Sequence, residues 1–206
     1  MLGRFFNFMN ISIYKNFKTA VIILLIFTVI TGFIYPITIT LIAQYFFSEK
    51  ANGSFIKYKD TNFGSVLIGQ NFDNPKYFWG RPSATGIFPY NPMDSKSSGL
   101  SPANPDFIKS IRNKVEILQK THGINTKVPI EMVEASGSGI DPHISPMAAI
   151  YQMSRIAKER GLMEDKVKNL INLYTENRQF GVLGEARINV LKINLALDAL
   201  DKDNSL

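Results

Sequence analysis

The sequence predicts an α+β protein, with one N-terminal transmembrane helix followed by a single extracytoplasmic domain of few strands and several helices. Three observations predict it. No charged residue stands between Thr19 and Ser48, a run longer than the ~20 apolar residues that cross a bilayer. Once that segment is set aside, roughly 155 residues remain, the size of one domain. The apolar share of 45% is ordinary for a globular chain and permits a core without disulfide staples.

The apolar run comes first. Val21–Ile34 is almost purely aliphatic, and Arg4, Lys15 and Lys18 precede it with no acidic residue among them. By the positive-inside bias, residues 1–18 are expected in the cytoplasm, 19–47 form the transmembrane helix and outer interface, and 48–206 lie outside. Tyr45, Phe46 and Phe47 suit an outer aromatic belt, and Phe5, Phe6 and Phe8 an inner one. A cleaved signal has a shorter apolar region that ends at a small-x-small site. Here Leu41 stands two before Ala43, so a retained anchor is expected. Thr28, Thr31, Tyr35 and Thr38 share one helix face, with Gly32 beside them. Such a stripe suits close packing against a membrane partner. Threonines that bond their own backbone are the plainer alternative. Pro36 lacks an N–H and crowds the carbonyl of Gly32, which predicts a kink.

Beyond the anchor, Ser54–Tyr58 and Val66–Ile68 read as strands around a turn at Lys59–Asn62. Residues 69–105 are rich in Gly, Pro, Asn and Ser, interleaved with Phe72, Tyr77, Phe78, Trp79, Phe88 and Tyr90. So long an irregular segment is functional or disordered as a rule, and its aromatics predict an ordered, packed one. A helix follows over Pro105–Thr121, capped by Asn104 and ended by Gly123, with Phe107, Ile108, Ile111, Val115 and Leu118 inward. Pro129–Ala135 reads as a short helix and Ser136–Pro146 as a second irregular segment. Ser145 caps a helix that Pro146 opens and Gly161 stops after Arg160. Glu164–Tyr174 is the next helix, with Val167, Leu170 and Ile171 inward, and Thr175–Arg178 a helix-end turn. Val190–Leu200 fits both periods, and its length favours a helix.

Composition excludes several chemistries. With no cysteine there is no disulfide, thiolate metal site or cysteine nucleophile, and His122 and His143 are too few for a zinc site. The anchor's flank supplies half of the +6 net charge, so the domain lacks the basic excess that nucleic acid needs. Ser136-Gly137-Ser138-Gly139-Ile140-Asp141-Pro142-His143 holds serine, aspartate and histidine together. A hydrolase would need the histidine to activate a serine, but a G-x-S-x-G elbow is missing. The glycine-serine turn lacks the Walker lysine, so nucleotide binding by this chain alone is poorly supported. A tight structural loop and an interaction loop both stay open. Arg81 stands at an aromatic bend where it could stack on Trp79 or Tyr77, within the domain or toward a partner.

Taken in order, several segments resemble the C subunit of the Kdp high-affinity potassium-transporting P-type ATPase, the KdpC family. They are Thr31-Gly32-Phe33-Ile34-Tyr35-Pro36, Ala51-Asn52-Gly53-Ser54, Leu67-Ile68-Gly69-Gln70-Asn71-Phe72, Tyr77-Phe78-Trp79-Gly80-Arg81-Pro82-Ser83-Ala84 and Pro89-Tyr90-Asn91. Residues 135–146 and the pair Asn189-Val190-Leu191 and Asn194-Leu195-Ala196-Leu197-Asp198-Ala199-Leu200 complete the set, which spans nearly the whole chain. The stretch before Lys15 is longer than the family's usual start.

The resemblance implies a non-catalytic accessory subunit of an ATP-driven potassium importer in the cell (inner) membrane. Its partners would be a channel-like potassium-binding subunit, a P-type ATP-hydrolysing subunit, a small fourth subunit and the lipid membrane, with no nucleic acid. ATP and potassium ion would be used by the complex, with no cofactor or metal held firmly by this chain. The family is described as a catalytic chaperone that raises the pump subunit's ATP affinity. Only about the first 18 residues could meet cytoplasmic ATP, so such an effect would travel through the membrane partners. The membrane contacts would be Thr28, Thr31, Gly32, Tyr35 and Thr38. Gly69, Gln70, Asn71, Arg81, Pro82, Ser83, Ser136, Gly137, Ser138, Asp141, Pro142 and His143 would form family-motif loops, binding or structural. The alternative is a membrane-anchored extracytoplasmic binding or hydrolase domain acting without a pump.

Overall fold

A computed structural model describes residues 2–58, 61–123 and 126–203, with side chains over 13–56, 64–123 and 126–200. Lys59 and Asp60 of the expected turn, and the side chains of Phe5, Phe6 and Phe8, lie outside the described residues. The described residues fall into two compact units, divided in the chain between Ser54 and Phe55.

The first unit is helical. α1 (Leu2–Val29) runs into a π turn, Ile30–Ile34, and continues as α2 (Tyr35–Phe46). Ile13–Phe46 is long and apolar enough to cross a membrane, and its described side chains are unburied. At the expected kink the helix widens: Tyr35 donates its N–H to the carbonyl of Ile30, five residues back. Pro36, which cannot donate, sits just after that turn. The short α3 (Ser48–Ala51) follows, and Asn52 exchanges amide hydrogen bonds with Gln44 at 3.2 and 3.3 Å.

The second unit is α+β, as the sequence predicts. β1 (Phe55–Tyr58) pairs antiparallel with β2 (Thr61–Ser65), with a bulge between Ile56 and Lys57. The second strand expected at Val66–Ile68 is therefore displaced toward the N-terminus. Ser65 ends the ladder: its hydroxyl accepts the N–H of Leu67 at 3.1 Å and its carbonyl that of Ile68. Residues 69–104 are irregular apart from a 3-10 turn at Pro92–Asp94.

α4 (Pro105–His122) is capped by Asn104, whose side chain accepts from Asp106 N–H at 2.8 Å. Ile108, expected inward, faces out; Ile111, Val115 and Leu118 pack on the core. The helix expected at Pro129–Ala135 is only a 3-10 turn, Ile130–Met132, which leaves Glu131 free to reach another element. β3 (His143–Ile144) leads into α5 (Pro146–Arg160), where Ser145 accepts from Ala148 N–H at 3.1 Å. α6 (Glu164–Tyr174) ends at β4 (Thr175–Glu176), so Thr175 and Glu176 are strand rather than the expected turn. β5 (Arg187–Asn189) then opens directly into α7 (Val190–Asp203).

The three short strands form one antiparallel sheet, β3-β5-β4. The core lies between this sheet and α5, α6 and α7. It holds Ile144, Ile156, Val167, Ile171, Ile188, Ile193 and Leu197, together with Phe78 from the irregular segment, all fully buried. No strand carries Phe78 into place. Instead, Asn194 of α7 accepts the Phe78 N–H at 2.8 Å and donates to its carbonyl at 2.9 Å. Gln152 of α5 does the same for Trp79, at 2.8 and 3.1 Å. Two buried amides thus take the role of a neighbouring strand, because a buried backbone must have every donor and acceptor paired.

Candidate functional site

The two irregular motif segments, 69–95 and 135–146, hold each other. Gly69 donates its N–H to the carbonyl of Ile140 at 2.9 Å. Its Cα approaches so closely that an added Cβ would lie 2.4 Å from the Tyr90 ring and 2.7 Å from the carbonyl of Asp141. Ser83 donates to the carbonyl of Gly139 at 2.7 Å and accepts the Tyr90 N–H at 2.9 Å. Tyr90 in turn donates its hydroxyl to the carbonyl of Arg81 at 2.5 Å. Burial, with the Asp141 charge adding and Arg81 opposing, pushes that phenol up to about 12, so it remains a donor at any physiological pH.

Arg81 does not stack on Trp79 or Tyr77. Its guanidinium reaches Asp141 at 3.4 Å and the carbonyl of Ala135 at 3.5 Å. Other cations lie over those rings: Arg155, 4.3 Å from the Trp79 centroid, and Arg160 and Lys76, 4.9 and 5.2 Å from that of Tyr77. Asp141 is the hub of the loop. It accepts the His143 N–H at 3.0 Å, and its other oxygen meets Arg81. Burial alone would raise its carboxyl, but the His143 ring and N–H and the Arg81 charge outweigh burial and hold it below the usual range.

The strand β3 is an edge of its sheet, and side chains close that edge. Asp141 takes the N–H of His143, while Glu131 accepts both the N–H of Ser145 at 2.9 Å and its hydroxyl at 2.5 Å. An edge so covered cannot add a foreign strand. Glu131 also brings a carboxylate to the start of α5, where the helix favours negative charge. Sequence reading missed Glu131 and, in the core, Gln152, Asn194 and Arg155. Their one signal was polarity at inward helical spacings.

The serines serve the loop itself. Ser136 is buried and its hydroxyl accepts the Gly139 N–H at 2.9 Å, and Ser138 accepts that of Ile140 at 3.3 Å. Among the described residues neither serine bonds His143, so the geometry of a nucleophile and its base is missing. No group of three His, Asp or Glu side chains converges among the described residues. Gly137 is exposed and Pro142 buried. Gln70 lies over Gly64. Asn71, Arg81, Pro82 and Ser83 line a cavity of about 280 Å³ floored by Phe72, Trp79 and Met132. A wider groove of about 620 Å³ runs past Arg81, Asp141 and His143 to Glu185 and Arg187. In the apolar helix, Thr28, Thr31 and Thr38 donate to carbonyls four residues back at 2.7–2.8 Å. Tyr35 is exposed, and among the described residues nothing beyond the adjoining helix lies within 4 Å of a Cβ built on Gly32.

The comparisons match this arrangement to one family. The family model for the K+-transporting ATPase c chain, KdpC, matches residues 17–199. The potassium-transporting ATPase KdpC subunit of Geobacter metallireducens is 52% identical over 187 residues, covering 90% of this chain and 98% of the relative. That of Methylococcus capsulatus is 50% identical with the same coverage. That of Geotalea uraniireducens is 48% identical over 91% of this chain and its own full length. On a match that runs from the apolar helix to the last helix of the domain, the chain belongs to the KdpC family.

Proposed function

We propose that this chain is a single-pass accessory subunit of an ATP-driven potassium import complex. Its N-terminus is cytoplasmic and its domain, residues 48–206, lies outside the inner membrane. The observation that carries the reading is the family match over residues 17–199. The unburied apolar helix and the charge step across it agree with that topology. The chain performs no catalysis itself. Potassium selectivity needs rings of carbonyls inside a pore, which one helix cannot supply, so the channel-like and P-type subunits do the transport and the hydrolysis.

In this reading Thr28, Thr31, Gly32, Tyr35 and Thr38 meet a membrane partner. The braced loops around Arg81 and Asp141 present the domain's outer face beside the potassium entrance. The small fourth subunit completes the assembly. A rise in the pump subunit's ATP affinity is transmitted through these partners, as a coupling between distant sites. ATP and potassium belong to the complex, and this chain holds neither firmly.

A tagged pull-down from potassium-starved membranes in mild detergent tests the reading. Co-purification of a P-type ATPase subunit and a polytopic subunit in fixed ratio is the expected result. Recovery of the chain alone, with those subunits present in the same membranes, overturns it.

A further inference from the structure

α1 begins at Leu2, well before the stretch that crosses lipid. The charge-free run Thr19–Ser48 exceeds the ~20 residues that a bilayer needs. The helix ahead of it, residues 2–18, is about 25 Å long at 1.5 Å per residue and is surplus to crossing. The family match starts only at residue 17, so the pattern shared with the relatives does not account for it. By sequence period this surplus helix has two sides. At 3.6 residues per turn, positions Leu2, Phe6, Met9, Ile13 and Phe17 fall along one of them. Arg4 and Lys15 stand three turns apart and Lys18 follows one turn on, so the three cations share the opposite side. Phe8 and Ile11 fall nearer the cations, and Asn16 within the apolar side. No acidic residue stands in 1–18. Where side chains are described, Ile13, Tyr14 and Phe17 are 59, 70 and 68% exposed, and Lys15 and Lys18 are exposed as well. Such a helix is ill placed in water, which leaves its apolar side unburied, and equally in hydrocarbon, which strips its cations. The boundary between lipid and water suits both sides at once.

We propose that residues 2–18 form an amphipathic helix that lies along the anionic cytoplasmic leaflet, with its apolar side at the acyl boundary and Arg4, Lys15 and Lys18 toward lipid phosphates. The leaflet named rests on the topology proposed above, with the N-terminus in the cytoplasm. Two observations select lipid over an acidic protein surface. The stretch is continuous with the membrane-crossing helix, so headgroups adjoin it whether or not another subunit is present. Its charge is also of one sign, and the negative surface potential of that leaflet attracts basic segments next to a span, about fivefold in binding for each cation. α1 runs unbroken through Lys18 in the structure. The bend that lays its first turns on the surface is assigned to Lys15–Thr19, where the Thr19 hydroxyl donates to the Lys15 carbonyl at 3.0 Å. A back-bond of this kind favours bending of a helix.

The absence of cysteine from the chain makes single labels clean. Full chains carrying Met9→Cys or Asn7→Cys are spin-labelled and reconstituted, without other subunits, in phosphatidylcholine vesicles with and without phosphatidylglycerol. Collisions with oxygen, which concentrates in lipid, are compared with collisions with a nickel chelate, which stays in water. Positions 7 and 9 fall on nearly opposite sides of a helix. The expected result is oxygen contact at the Met9→Cys site and nickel contact at the Asn7→Cys site, with the contrast at least halved in phosphatidylcholine alone. Nickel contact at both sites, the mark of a helix standing in water, overturns the proposal. Oxygen contact at both, the mark of a helix sunk in the bilayer, overturns it too. So does a contrast indifferent to lipid charge, or one that appears only when the other subunits are added, which would assign the apolar side to a protein. A membrane-impermeant maleimide tests the topology separately. The Asn7→Cys site should stay unreactive in intact spheroplasts and react after lysis. Reaction in intact spheroplasts overturns the cytoplasmic N-terminus, and the leaflet named with it, whatever the vesicles show.

Discussion

Arg155 donates its Nε proton to Nε2 of His122 at 3.2 Å in the interior of the domain, where Arg155 is 4% exposed. The other ring nitrogen of His122 lies 2.8 Å from the carbonyl of Leu118, which fixes the proton on Nδ1. The guanidinium is otherwise held by the carbonyls of Pro75 and Tyr77 and by Gln152. No carboxylate bonds either group among the described residues, and the Tyr151 and Trp79 rings close around the imidazole. A second proton on His122 would set two cations face to face.

Acid sensitivity follows from that pair. Burial, with the Arg155 charge adding and the Leu118 carbonyl opposing, pushes His122 down to about 4 from 6.5. Burial likewise lowers Arg155 to about 10, with Glu159 opposing, so Arg155 stays charged throughout. The unfolded chain takes up the histidine proton near pH 6.5 and the folded chain only near 4. Stability from this site is therefore full above pH 6.5 and lost as pH falls from 6.5 to 4, by up to about 3 kcal/mol. Thermal melts across that window should show the fall. His122→Gln, which keeps an acceptor but cannot titrate, should flatten it.

The amide clamps on Phe78 and Trp79 make a second prediction. Asn194→Leu preserves volume but leaves the Phe78 N–H and carbonyl buried and unpaired, at a cost of about 2–4 kcal/mol. Asn194→Asp should be as harmful, because a carboxylate cannot donate to the Phe78 carbonyl at 2.9 Å. Urea unfolding measures both. A loss below about 0.5 kcal/mol would mean that water replaces the clamp.

These clamps also show where sequence reading stopped. Four helices of the domain were legible because Asn104, Ser145 and the apolar spacings of α6 and α7 are local signals. β3, β4 and β5 were not, since strands of two or three residues carry no period and exist only through partners such as Ile144 opposite Ile188. The motif loops were legible as segments, yet their mutual bracing was hidden. Ser83 meets Gly139 across 56 positions, and Glu131 reaches Ser145 only because its expected helix shrinks to a single 3-10 turn.

Within Ser136–Gly139 the two glycines should behave oppositely. Gly139 has a φ of +70°, and an added Cβ would lie 2.5 Å from the carbonyl of Lys96. Gly139→Ala should therefore destabilise the domain by about 2 kcal/mol or more. Gly137 has nothing within 4 Å of its Cβ position and is exposed, so Gly137→Ala should be neutral to within about 0.5 kcal/mol. The pair separates the loop's two roles. Weakened assembly in a fully stable Gly137→Ala chain would show that the loop touches a partner, and unchanged assembly that it serves the fold alone.

The anchor can be tested in the same way. Thr28, Thr31 and Thr38 already give their protons to their own helix, at 2.7–2.8 Å. Their change to valine therefore removes little from the isolated helix, and insertion should be normal. Each hydroxyl retains acceptor capacity for a neighbouring helix, worth about 0.6 kcal/mol on average, so the triple valine variant should weaken co-purification of the complex by about twentyfold at most. Gly32→Leu is the sharper probe. Among the described residues nothing beyond its own stretch of helix lies within 4 Å of its Cβ position, so the larger side chain fits the helix itself and is a probe for something packed against that face. Co-purification of the P-type and polytopic subunits with Gly32→Leu should fall well below that of the triple valine variant. A Gly32→Leu chain that inserts normally and recovers the full complement of subunits would place the partner on a different face of the helix.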